Sequence, residues 1–171
     1  FNDAIEYALT LTMEHEKFYP RIYEKFKEAG VILVILPNLS GSKINGATKK
    51  LGDNIMLMVN NRRLYSDTFW FTLLHEIGHI INKDYGISFD KELGEQEQAA
   101  DEYAANKLIP FQVYSEFLNE GQFGRDAICR FAKKIKRDPA IVVGRLQKDK
   151  IVPYDDRELN GLKHKYRVKM N

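Results

Sequence analysis

Thirteen residues, Phe69-Trp70-Phe71-Thr72-Leu73-Leu74-His75-Glu76-Ile77-Gly78-His79-Ile80-Ile81, constrain this chain more than any others. They set a His-Glu-x-x-His pattern inside the most apolar stretch of the sequence. On a helix, residues four apart share a face, so His75 and His79 can reach one metal ion. Glu76 stands one step round, where it can hold a water bound to that ion and act as its general base. The competing reading is an amphipathic helix with two solvent-facing histidines. The apolar flanks oppose it, because they bury nearly the whole helix. A buried histidine pair beside a carboxylate requires a partner, and a metal ion satisfies all three.

A catalytic zinc takes three protein ligands and keeps a fourth position for water. The other histidines, His15 and His164, stand among charged residues, and nothing in the sequence marks either as a ligand. The stretch Glu95–Leu108 is the better place to look. Ala100, Ala104 and Leu108 fall on one helical stripe, and Glu97 lies on the same stripe. Small alanines let two helices approach closely, so Glu97 is the expected third ligand, with Asp101 the alternative. As a neighbour of the ligands, Asp101 would accept the second ring N–H of a histidine and fix its tautomer. Glu95 and Glu102 fall off the stripe. With Zn2+ polarising a carbonyl, Glu76 would take a proton from the attacking water and return it to the leaving amine. Tyr65, Tyr85, Tyr103 and His164 are open choices as the further oxyanion donor, Tyr103 being the one that reads as core.

The remaining periodicities predict an α+β fold. Helices are expected over residues 3–11 and up to Ala29, where Gly30 caps the second. Apolar runs at Val31–Leu36 and Asn54–Asn60 read as buried strands, with a short strand at 47–50 between them. Residues 38–46 and 52–54 are turn-rich. Together these predict a small, mostly antiparallel sheet of about three strands against the His75 helix. Asp67 is the expected N-cap of that helix, which should end near Lys83. A polar loop is expected over 86–94, and helices over 112–119, 125–136 and 139–148. The chain divides into a metal-binding domain, 1–120, and a helical section, 121–171. If Asn54–Asn60 is an edge strand, an extended peptide can pair with it.

Composition narrows the classes. The chain has 171 residues, 44% hydrophobic and 29% charged, which is ordinary for a globular protein. No apolar run approaches a membrane span. Cys129 is the one cysteine, which excludes an internal disulfide and fits the cytoplasm. The first residue is Phe, so a processed or cloned fragment is expected. Residues 125–171 carry 14 Lys/Arg against 6 Asp/Glu. Such a section can touch nucleic acid or an acidic partner, although a solvated helical surface is the plainer reading.

The two motifs also carry a resemblance. Phe-Trp-Phe-Thr-Leu-Leu-His-Glu-Ile-Gly-His, followed by Glu97-x-x-Ala100-Asp101-x-Tyr103-Ala104-Ala105-x-x-Leu108-Ile109-Pro110, resembles the ImmA/IrrE family of metallo-endopeptidases. Tyr103 replaces the family's usual phenylalanine. Ala29-Gly30-Val31, Pro37 and Ile44-Asn45-Gly46-Ala47 are similar to the version fused behind an N-terminal helix-turn-helix in HigA-like regulators. Residues 128–146 resemble the family's C-terminal helix-turn-helix-like unit. The resemblance implies a zincin-like fold, ligands His75, His79 and Glu97, and Glu76 as base. It also implies a role in bacterial gene regulation: cleavage of a DNA-binding repressor, or action within a toxin–antitoxin-like regulator with a cognate toxin as partner. DNA contact would then run through an upstream domain. A non-catalytic, metal-stabilised sensing or protein-binding module is the alternative.

Overall fold

The computed structural model describes residues 1–37, 41–61, 65–89 and 94–167. In chain order the elements are α1 (Asn2–Thr10), α2 (Phe18–Glu28), β1 (Val31–Leu36), β2 (Ile44–Leu51), β3 (Asn54–Asn60), α3 (Ser66–Asn82) and β4 (Ile87–Phe89). Then come α4 (Glu95–Leu108), α5 (Phe111–Glu120), α6 (Arg125–Lys134), α7 (Pro139–Lys148) and α8 (Arg157–Asn160). Parts of the expected turn at 38–46, the expected loop at 86–94 and the polar tail lie outside the described residues.

The strands form one sheet in the order β1-β3-β2-β4 among the described residues. β1 runs parallel to β3, and β2 is antiparallel to both β3 and β4. The sheet is thus mostly antiparallel, but three expectations need correction. Asn54–Asn60 is not an edge strand: β1 takes one side of it and β2 the other, so its backbone cannot accept a peptide. Part of the expected 86–94 loop is the edge strand β4, too short for alternation to reveal. β2 begins at Ile44, earlier than expected, because Asn45 and Gly46 read locally as turn residues. Val31, Leu33, Leu57 and Val59 are buried, while Ile32, Val34, Met56 and Met58 on the opposite face are only half-buried. The continuous apolar runs therefore mark strands buried on one face.

α3 lies across β2 and β3 and makes its largest contact with α4. Trp70 is fully buried and its indole N–H donates to the Tyr166 hydroxyl at 3.2 Å. The N-cap of α3 is Tyr65, not Asp67. Asp67 sits inside the first turn, its carboxylate taken by Lys163 Nζ at 2.7 Å. The helix closes at Lys83, whose left-handed φ of 61° reverses the chain. Buried residues of α6 and α7, among them Ile128 and Leu146, join the same core as Trp70 and Ile77. No described helix is long and apolar enough to cross a membrane.

α3 and α4 meet at Gly78 and Ala100. A Cβ on Gly78 would stand 3.0 Å from Ala100 Cα, a backbone atom that cannot swing aside. On an exposed helix, Gly→Ala gains about 1 kcal/mol. Here overpacking costs roughly 1–3 kcal/mol and should win. Gly78→Ala is therefore expected to lower the urea midpoint of the metal-free protein. A raised midpoint would mean that the two helices do not approach this closely.

Candidate metal centre

His75 and His79 leave α3 on one face with their Nε2 atoms 3.1 Å apart. From α4, Glu97 places one carboxylate oxygen 3.1 Å from His75 Nε2 and the other 3.2 Å from His79 Nε2. These side chains form a group able to hold a metal ion. The donor set fits one. A tetrahedral ion with bonds of about 2.0–2.1 Å holds its ligands roughly 3.3 Å apart. Three acceptor atoms facing one point also require a cation or a proton between them.

The outer nitrogens of both histidines face aspartates. His75 Nδ1 lies 2.8 Å from Asp101 Oδ1, so Nδ1 carries the proton and Nε2 presents its lone pair. Asp101's second oxygen accepts from Lys148 Nζ at 2.8 Å. Burial opposes charge on His75, but the bond to Asp101 and the charges of Glu76, Asp101 and Glu97 outweigh it and raise its pKa. Burial likewise opposes charge on Asp101, and its bonds to His75 and Lys148 bring its pKa below the usual value. His79 Nδ1 lies 3.2 Å from Asp84 Oδ1, off-line for a hydrogen bond. The left-handed turn at Lys83 brings Asp84 back, and its N–H donates to His79 O at 3.0 Å. Local reading missed Asp84; the signal available was an aspartate just past the helix end.

Glu76 is completely buried, with neither carboxylate oxygen in a well-formed hydrogen bond. It lies against β2 at Gly46, where any Cβ would fall on its carboxyl group. Gly46 pairs with Val59 on β3 and Ser88 on β4, so a row across the sheet runs beneath Glu76. Gly46 is thus required by space rather than by a turn. Burial raises the Glu76 pKa to about 7, against smaller opposing effects of Ser88 and His75.

A cleft of about 830 Å³ opens on the centre, walled by Phe71, His75, Glu97 and Asp101 and by Arg145 and Lys148 of α7. Of the four expected oxyanion donors, Tyr65 lines this cleft, whereas Tyr85, Tyr103 and His164 do not. Tyr103 packs against the core, as its sequence context implied.

His15 and His164, unmarked in the sequence, gather around the buried Asp138. They do not make an equivalent site. Their rings stack at 3.4 Å with 20° between planes, so their in-plane lone pairs do not converge. A hydrogen-bonded chain accounts for His15 instead. Tyr166 Oη lies 3.5 Å from His15 Nδ1, His15 Nε2 lies 3.0 Å from Asp138 Oδ2, and Ala140 N–H donates to Asp138 Oδ1 at 2.6 Å.

The model of the IrrE N-terminal-like domain, a Peptidase M78 family, matches residues 27–134. That span holds the sheet, the helices bearing His75, His79 and Glu97, and α6. No curated protein and no solved structure matched the chain.

The buried Glu76 predicts a pH effect on the metal-free protein. Unfolded, it releases its proton near 4.5; folded, near 7. As pH rises through that window the unfolded state ionises first and native stability falls, levelling off above 7. The gap corresponds to about 3 kcal/mol. Between pH 4.5 and 8, Glu76→Gln should gain roughly that much over wild type in chemical denaturation. A difference independent of pH would show that the carboxyl ionises normally.

Proposed function

The chain belongs to the IrrE N-terminal-like domain family of peptidases, and from that premise we propose that it is a zinc-dependent endopeptidase acting in bacterial gene regulation. The observation that carries this reading is the convergence of His75 Nε2, His79 Nε2 and the Glu97 carboxylate within 3.2 Å of one another, with Glu76 beside them. Zinc, when bound by these three residues, supplies an acidified water and polarises a substrate carbonyl. The chain's own residues do the rest. Asp101 fixes the tautomer of His75, and Asp84 faces His79. Glu76 accepts the proton of the attacking water and delivers it to the leaving amine. A pKa near neutrality suits both halves of that transfer. Tyr65 lines the cleft but caps the start of α3, ten residues or roughly 15 Å along the helix from His75, out of reach of an oxyanion developing at the centre. Among the described residues β4 is the sheet edge beside the centre, and Phe89 lines the cleft, which favours an extended peptide substrate lying along that edge.

The substrate is a protein, with a DNA-binding repressor or a cognate toxin as the expected partner. The complete burial of Glu76 favours a second reading, a non-catalytic metal-stabilised binding module. The basic C-terminal section weighs less as a nucleic-acid surface, because several of its cations are engaged internally. Lys148 binds Asp101, Lys163 binds Asp67, and Arg145 binds Asp149.

Zinc-loaded wild type and Glu76→Gln, incubated with candidate repressors, separate the two readings. Glu76→Gln should keep its zinc and cut at least about a hundredfold more slowly. Glu97→Ala should lose most of its zinc in a chelator competition. Cleavage by Glu76→Gln at the wild-type rate would remove the general-base role, and unchanged zinc affinity in Glu97→Ala would remove the third ligand.

A further inference from the structure

We propose that Lys148 is a positioning residue for the metal centre, holding the Asp101 carboxylate so that His75 presents its Nε2 lone pair to the metal. The inference rests on the metal-centre reading above and extends it to α7, beyond the family-matched residues 27–134.

Asp101 divides its two oxygens. Oδ1 meets His75 Nδ1 at 2.8 Å and Oδ2 meets Lys148 Nζ at 2.8 Å. The Asp101 side chain is 42% exposed and that of Lys148 is 48% exposed. An isolated ion pair this open contributes little to stability. Two features set this one apart. Its other oxygen is committed to a histidine of the candidate site, and the ammonium is itself held 4.3 Å over the Phe71 ring. Phe71 lies one helical turn before His75. Three helices therefore converge on one carboxylate: α3 through Phe71 and His75, α4 through Asp101, and α7 through Lys148.

The consequence is for the metal more than for the fold. A half-exposed carboxylate with one protein partner can rotate toward water, and the imbalance is felt at His75. With Lys148 on the second oxygen, rotation breaks two charge-assisted hydrogen bonds instead of one. Partners outside the ligand set commonly change metal affinity about 10- to 100-fold, and Lys148 stands one step further out. Its loss should weaken zinc by about 3- to 10-fold.

The test is zinc affinity by chelator competition for wild type, Lys148→Met, Lys148→Arg, Asp101→Ala and the double variant Lys148→Met/Asp101→Ala. Arg145→Met, altered on the same helix and cleft wall, is the control. Lys148→Met should lose affinity while its metal-free urea midpoint stays at the wild-type value. Lys148→Arg should recover most of the loss, and Arg145→Met should bind zinc as wild type does. In the Asp101→Ala background, Lys148→Met should add nothing, because its path to the metal is gone. The visible spectrum of the Co2+-loaded protein should shift in Lys148→Met and return in Lys148→Arg. Wild-type zinc affinity in Lys148→Met, or an equal loss with and without Asp101, would overturn the proposal while leaving the metal centre standing. A wild type that takes up no zinc would overturn both.

Discussion

The candidate centre depends on how closely α3 can approach α4. At Gly78 and Ala100 the two helices come near enough that a single methyl group would meet backbone. That approach brings the Glu97 carboxylate within 3.2 Å of both histidine Nε2 atoms. A Cβ at Gly78 would meet Ala100 Cα at 3.0 Å and push the ligand-bearing helices apart. Metal bonds tolerate only a few tenths of an ångström, so the packing of two small residues governs the chemistry.

The same helix carries the structure's clearest departure from good packing practice. Glu76 is a fully buried carboxyl with no well-formed hydrogen bond on either oxygen, whereas the buried Asp67 has Lys163 on its carboxylate. Gly46 makes the space for it, and Ser88 faces it from the next strand. A buried acid without a well-formed hydrogen bond destabilises a fold, and such costs gather at functional sites. A base for proton transfer needs this environment, since burial brings its pKa toward neutrality.

The parts of the site that one helix encodes were legible in the sequence. His75, Glu76 and His79 follow from helical spacing, and Glu97 and Asp101 follow from the alanine stripe of α4. The structure brings all five into one place. What escaped reading was made by segments distant in the chain. Lys148 reaches Asp101 from α7, and Gly46 lies under Glu76 from a strand whose residues look like a turn. Asp67 has the composition and place of an N-cap, yet Lys163 takes its carboxylate. β3 looked like a possible edge because parallel pairing with β1 leaves no local trace. His15 and His164 carry no ligand signature, and the fold brings them to Asp138 from segments distant in the chain. Fold class and most helices were readable for the same reason as the motif: amphipathic periodicity is a local property.

Anomalous diffraction from zinc-soaked crystals, recorded on both sides of the zinc absorption edge, tests the central claim most directly. One strong peak is expected within about 2.0–2.2 Å of His75 Nε2, His79 Nε2 and a Glu97 oxygen. A peak only at His15, Asp138 and His164, or no peak at all in crystals soaked to saturation, would contradict it.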